Sequence, residues 1–321
     1  MKFKYLLLLA VICVCGTAKT QSDFDLSQRW FNESIYNPGA TGNSFTTGVF
    51  FHSRAQWAGL DGAPITNAVT IDTYADPIKS GFGLSVYTDK IGYISSWSAK
   101  LSYAYYIFIN DKTSVALGLS GYLRNRNSHI SPNMLDQSND PAITYSKINE
   151  YNPDFDFGVE FKGPLKVGAS IRHLLKYEPI NSFFPAYSTN IWTYASSRFN
   201  ISNGVSLEPA ASYMYRDNIH RIEGGVIIYF FKSVSNFVYN DRFWLGGMYR
   251  LNKQFAVLAG VNLTSKLRLG YSFDYGTGDL ATISKMGTHE LFLSWHFNRI
   301  FYKEPDCAMY RRNSIYKKRR R

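Results

Sequence analysis

Cysteine is scarce in this chain of 321 residues. Of its three cysteines, Cys13 and Cys15 lie in the first fifteen positions and only Cys307 lies beyond them. That excludes a disulfide framework, and one remaining thiol closes no intramolecular bridge. An intermolecular disulfide and an inert thiol both stay open for Cys307. Long apolar runs are also missing. After the N-terminus no stretch approaches the roughly 18 residues of a membrane helix. The six histidines, His52, His129, His173, His220, His289 and His296, are scattered, with no His-Glu-x-x-His or His-x-His spacing. No G-x-G-x-x-G run stands between a strand and a helix, so a nucleotide site has no support. These absences imply no metal, no cofactor and no enzyme.

The N-terminus is patterned as a secretory signal. Lys2 and Lys4 precede an apolar run from Leu6 to Val14, followed by Gly16 and Ala18. A charged start, a short apolar core and small residues predict a cleaved segment over residues 1–20, cut near Ala18 to Thr20. Cys13 and Cys15 invite a lipoprotein reading, but Ile12 and Val14 precede them where a lipid-attachment motif wants a small residue.

Aromatic residues, by contrast, are abundant. They make up 17% of the chain, with 24 Tyr and 23 Phe. That richness fits aromatic girdles at two membrane interfaces. A Tyr-rich soluble sandwich or adhesin shares the composition. The patterning separates them. Leu267, Leu269, Tyr271, Phe273 and Tyr275 alternate with Arg268, Gly270, Ser272 and Asp274. Leu291, Leu293, Trp295 and Phe297 alternate with Glu290, Phe292, Ser294 and His296. Similar period-2 segments predict about fourteen strands, near 45–56, 65–75, 80–89, 94–110, 112–126, 154–162, 165–175, 188–200, 204–217, 220–233, 241–252, 254–264, 266–275 and 287–297. About ten residues at a tilt cross the hydrocarbon core. Only a closed barrel satisfies every backbone hydrogen bond in lipid while showing opposite faces to lipid and lumen. The predicted fold is therefore an all-β, antiparallel outer-membrane barrel over 21–297, followed by a basic tail over 298–321.

Connection lengths agree with an even strand count. Asn110-Asp111, Gly163-Pro164, Asn203-Gly204 and Asn252-Lys253 read as tight turns. The longer breaks are 57–64, 127–153, 176–187 and 276–286. In such barrels tight turns face the periplasm and longer loops face outside, which predicts both termini on the periplasmic side. The short link after the eleventh strand goes against that parity.

The faces opposite the apolar ones carry Lys100, Arg124, Arg172, Glu208, Arg216, Glu223, Arg250, Arg268, Asp274 and Glu290. Mixed signs give no anion or cation preference. A salt-bridged, filled interior is favoured over a selective pore, because buried charges must pair. Most of the net charge of +11 sits in the last 24 residues, which hold Arg299, Lys303, Arg311, Arg312, Lys317, Lys318, Arg319, Arg320 and Arg321 against Glu304 and Asp306. This tail has too little apolar surface to fold alone. It is either a solvated end or a tether for an acidic periplasmic partner, with Arg311, Arg312, Tyr316 and the run 317–321 as the contact residues. Nucleic acid is excluded by compartment.

Several ordered segments resemble the PorP/SprF family of the Bacteroidota type IX secretion system. They are Asp25-Leu26-Ser27-Gln28 with Tyr36-Asn37-Pro38-Gly39-Ala40-Thr41-Gly42, then Arg54-Ala55-Gln56-Trp57 with Gly62-Ala63-Pro64-Ile65-Thr66. Gly81-Phe82-Gly83-Leu84 follows with Asp89-Lys90-Ile91-Gly92, and last come Asp274-Tyr275 and Gly287-Thr288-His289-Glu290. Gly39 stands where the family usually has Ala. The physical reading of these residues is fold-defining rather than catalytic: a turn at Asn37-Pro38-Gly39, an interfacial Trp57 beside a pairing Arg54, and a closing strand begun by 287–290. The resemblance implies a non-enzymatic barrel serving protein secretion. It implies as partners periplasmic ring or peptidoglycan-binding components, or one large secreted adhesin-like cargo, often connected with gliding motility. A diffusion porin is the alternative.

Overall fold

The computed structural model describes residues 25–128, 148–175, 188–235, 238–251, 254–277 and 286–297. The signal segment expected over 1–20 and the tail expected over 298–321 lie outside the described residues. So does most of the loops expected over 127–153, 176–187 and 276–286. Fifteen strands follow one another around a single sheet: β1 (Thr47–Ala55), β2 (Ile65–Ala75), β3 (Ser80–Ile91), β4 (Ile94–Asn110), β5 (Thr113–Ser128), β6 (Ile148–Lys162), β7 (Lys166–Arg172), β8 (Asn190–Ser196), β9 (Phe199–Ser202), β10 (Val205–Arg216), β11 (Ile219–Ser235), β12 (Val238–Arg250), β13 (Gln254–Asn262), β14 (Leu267–Gly276) and β15 (Thr288–Phe297). Each pairs antiparallel with its neighbour, and β1 pairs with β15 from Thr47↔Phe297 to Ala55↔His289. The sheet therefore closes on itself and has no long free edge.

β8 and β9 are two pieces of one stave, since both pair with β10. The barrel thus has fourteen staves, as its alternation predicts. The break falls at Ser197–Arg198, where one uninterrupted strand over 188–200 was expected. Pro209 lies opposite and has no amide hydrogen to return a ladder bond. Arg198 instead turns inward. It donates to Asp241 at 2.6 and 3.0 Å and to Ser206 Oγ at 2.7 Å, and lies over the Tyr229 ring at 3.9 Å.

Alternation holds around the wall. In β4 the outer face shows Trp97, Leu101, Tyr103, Tyr105, Ile107 and Ile109, with Leu101 67% exposed. The inner face buries Ser98, Lys100, Ser102, Ala104 and Tyr106. Connections from even to odd staves are all short, including the one from β11 to β12, which joins Ser235 to Val238. That one is shorter than the gap of 233 to 241 expected from sequence. It lies at the end where β1 begins and β15 finishes, called the terminal end below. The opposite, loop end carries the long links and also tight ones at 92–93 and 217–218. The short link after the eleventh strand therefore has company there and leaves the register intact.

Candidate functional site: a segment inside the lumen

Residues 25–46 run through the barrel, from the loop end at Asp25 to the terminal end at Thr46. Three short 3-10 turns, Arg29–Phe31, Glu33–Ile35 and Pro38–Ala40, keep the segment compact. The third is set by sequence. Pro38 occupies its first position, where no amide donor is needed. Asn37 Oδ1 caps it by accepting from the Gly39 amide at 2.9 Å.

The loop-end half is held by charge. Glu290 accepts from the Ser27 amide (2.7 Å), the Gln28 amide (3.0 Å) and Arg54 Nη1 (3.0 Å). Ser27 Oγ donates to Asp274 at 2.7 Å and accepts from Arg54 (3.0 Å) and Arg250 (2.8 Å). Arg54 and Arg250 also reach Asp274 at 2.7 and 3.1 Å. Arg29 of the segment meets Glu223 at 2.5 Å and Asp25 at 3.0 Å, and Arg221 pairs with Asp25. Charges this dry are tolerable only when paired and hydrogen-bonded. Burial by itself raises the pKa of Asp25, but Arg221, Arg250 and Arg29 outweigh it and hold this carboxyl below the ordinary range.

The terminal-end half is held mainly by shape and aromatic packing, with an ion pair from Glu33 to Lys166 at the start of β7. Gly118 and Gly158 face each other across β5 and β6. A Cβ on Gly118 would lie 2.2 Å from the Pro38 carbonyl carbon, and one on Gly158 would lie 2.0 Å from Asn37 Oδ1. No larger residue leaves room for the turn. Asn37 Nδ2 donates to the Val159 carbonyl at 3.0 Å and to the Tyr194 hydroxyl at 3.2 Å. Tyr36 packs on Trp192 and Phe31 stacks on Phe292, with centroids 5.2 and 5.6 Å apart. Lys100 Nζ donates to the Ile35 carbonyl at 2.5 Å, and the Tyr106 hydroxyl to that of Thr41 at 2.8 Å. Phe45 ends the segment against Tyr74 and Tyr106.

The motif residues fall into two groups. Asn37, Pro38, Gly39, Arg54, Asp274 and Glu290 line the contact between segment and wall. Gln56, Trp57, Pro64, Asp89, Gly92, Gly287 and Thr288 knit the loop-end rim. The Gln56 amide donates to the Pro64 carbonyl at 2.9 Å, and the Gly92 amide to that of Gly62 at 2.9 Å. The Trp57 amide donates to Thr288 Oγ1 at 3.1 Å, and that of Ala58 to the Gly287 carbonyl at 2.8 Å. Thr66 Oγ1 donates to Asp89 at 2.6 Å. His289 meets the Tyr271 hydroxyl at 2.6 Å, and Tyr275 stands on the outer face. The proposed tail contacts Arg311, Arg312, Tyr316, Lys317, Lys318, Arg319, Arg320 and Arg321 lie outside the described residues.

Residues 18–295 match the family described as type IX secretion system membrane protein PorP/SprF. The chain belongs to that family. No curated protein matches it. Among solved structures it is similar to the toluene transporter TbuX of Ralstonia pickettii, at 10% identity and TM-score 0.52, over 87% of this chain and 96% of that one. It is also similar to the CymD monoaromatic hydrocarbon channel, at 11% identity and TM-score 0.49, over 87% and 95%. The outer membrane protein Omp33 of Acinetobacter baumannii follows at 11% identity and TM-score 0.41, over 79% and 98%. The likeness to TbuX is one of fold. Family and fold together make this PorP/SprF protein an outer-membrane β-barrel connected with type IX secretion.

Sequence reading missed the segment over 25–46 as an interior element, and with it Gly118 and Gly158. A signal was available. Glycines at inner-face positions of otherwise regular strands mark a close backbone approach. Charged Arg29 and Glu33 among Trp30, Phe31, Ile35 and Tyr36 mark a segment that has to be buried with partners.

Proposed function

We propose that this PorP/SprF protein is a non-enzymatic scaffold of the secretion system, joining secreted or surface proteins to periplasmic machinery. The observation that supports this best is the occupied lumen. A diffusion porin keeps its interior for solute, whereas here residues 25–46 take that space and bond to β1, β6, β12, β14 and β15. The loop end would meet cargo, and the terminal end, where β15 finishes at Phe297, would face the periplasm. Net charge on the tail 298–321 favours encounter with an acidic periplasmic protein.

The test is affinity purification from the native outer membrane, comparing the full chain with one ending at Phe297, with partners identified by mass spectrometry. Secretion components retained by the full chain and lost without the tail support the reading and assign docking to 298–321. The same components on both chains move the contact to the barrel. Secretion components on neither chain, together with large single-channel conductance, would replace the reading with that of a porin.

A further inference from the structure

The segment does not fill the lumen evenly. Toward the terminal end it leaves a cavity of about 390 Å³ that opens near Thr46, Ser265 and His296. Three of its lining side chains are more than nine-tenths buried and carry a polar atom with no hydrogen-bond partner. These atoms are Trp30 Nε1, Asn32 Nδ2 and Asp72 Oδ1. Unpaired polar atoms are costly in such surroundings, so a site that keeps them together points to a polar occupant.

The charges indicate which kind. Other charged groups of the cavity are engaged: Lys166 pairs with Glu33, Arg198 with Asp241, and Glu208, which enters no ion pair among the described residues, accepts from the Tyr229 hydroxyl at 2.9 Å. Asp72 and Arg268 enter no ion pair among the described residues. The Asp72 carboxylate accepts from the Gly42 amide at 3.4 Å through its other oxygen. Arg268 donates through Nε to Asn262 at 3.1 Å, and its guanidinium lies 5.8 Å from the Phe31 ring centre. The two residues stand on β2 and β14, separated around the wall by β15 and β1. Of the lining carboxylates only Asp72 keeps a buried oxygen with no partner, and that carboxylate beside a guanidinium outside any ion pair matches a ligand that carries both charges.

We propose that this cavity binds a zwitterionic α-amino acid unit, free or within a short peptide. Its ammonium group sits on Asp72, and its carboxylate sits on Arg268 with help from the Trp30 and Asn32 donors. The volume lies within the range of small-ligand pockets. The inference stands apart from the secretion role, because it needs only the cavity.

Calorimetric titration of the full-length protein in detergent micelles tests it, with alanine, dialanine and the doubly blocked N-acetyl dialanine amide as probes. The expected result is saturable binding of at least one free probe and binding weakened at least about tenfold when both charges are blocked. Asp72→Asn and Arg268→Gln should each weaken the free probe about tenfold in barrels that keep their heat-modifiable gel migration. Binding of alanine as well as dialanine supports a site for the free amino acid, and dialanine alone supports a peptide site. No saturable heat with any probe overturns the proposal, as does equal binding of the blocked peptide. The blocked probe decides on wild-type protein alone, should either variant fail to fold.

Discussion

The two halves of the lumen hold the same segment by different means. At the loop end, Ser27, Arg29 and Asp25 are tied by ions and hydrogen bonds to six staves. Nearer the terminal end, Asn37-Pro38-Gly39 lies on a floor from which side chains have been removed. Ion pairs are directional and fix where the segment sits. The glycine floor contributes little attraction and allows close approach. Register is thus specified at one end and depth at the other. The inner face is hydrophilic where it specifies and small where it accommodates.

Breaking the specifying half should have the largest effect. Glu290→Ala leaves two backbone amides of the segment without their acceptor in a dry site and removes one of the two carboxylates that Arg54 pairs with. Removing one partner of a buried pair costs about 3–5 kcal/mol. The temperature at which the folded band disappears on a heat-modifiability gel should fall steeply. Because Glu290 lies opposite Arg54 on the closing seam between β1 and β15, limited proteolysis should also cut within 25–46. A folded band as heat-resistant as wild type would refute the anchoring role of the network.

Gly118→Val tests the accommodating half. Overpacking costs about 1–3 kcal/mol where neighbours yield. Here the neighbour is the Pro38–Gly39 backbone, at 2.2 to 2.3 Å from the new Cβ. The turn has to lift, so 25–46 should become protease-sensitive while the barrel still migrates as folded. Gly225→Ala serves as the contrast. It is also a tight position, but the clash there is with Gly247 and Met248 of the neighbouring stave, not with the segment. It should lower stability without freeing 25–46.

How much of this was legible follows from the same contrast. Strand positions and faces could be read because period-2 alternation is local, and β4 matches its predicted span of 94–110 at both ends. The charged inner residues could be read as needing partners, but those partners lie far away in sequence: Ser27 with Asp274, Arg29 with Glu223. No local pattern places 25–46 inside a barrel. The same is true of the break at Ser197–Arg198, which depends on Pro209 in the next stave and on Asp241 in β12.

A smaller effect is expected at that break. Arg198→Gln removes a bidentate contact to Asp241 on a partly exposed side chain. Hydrogen bonds to charged groups are worth about 1.5–3 kcal/mol when buried, and partial exposure places this one at the low end or below. The barrel should remain folded with a modest loss of heat resistance, and segment 25–46 should stay protected because Asp241, Ser206 and Tyr229, which Arg198 holds, are not among its anchors. Release of the segment would show that the two ends of the lumen are coupled.

A last test sharpens the comparison through pH. Asp25 is charged in the folded protein below the pH at which a free carboxylate takes up its proton, since Arg221, Arg250 and Arg29 more than offset its burial. Its contribution is therefore fully present above the ordinary carboxylate range and is lost as pH falls through that range toward the depressed folded value. Asp25→Asn never has that contribution. At pH 7 the variant should lose its folded band at a lower temperature than wild type, and the gap should shrink progressively as pH falls below about 4. Gly118→Val, whose defect is steric, should keep its full deficit at both pH values. If its deficit also shrank in acid, the glycine seat and the charged anchor would be one device rather than two.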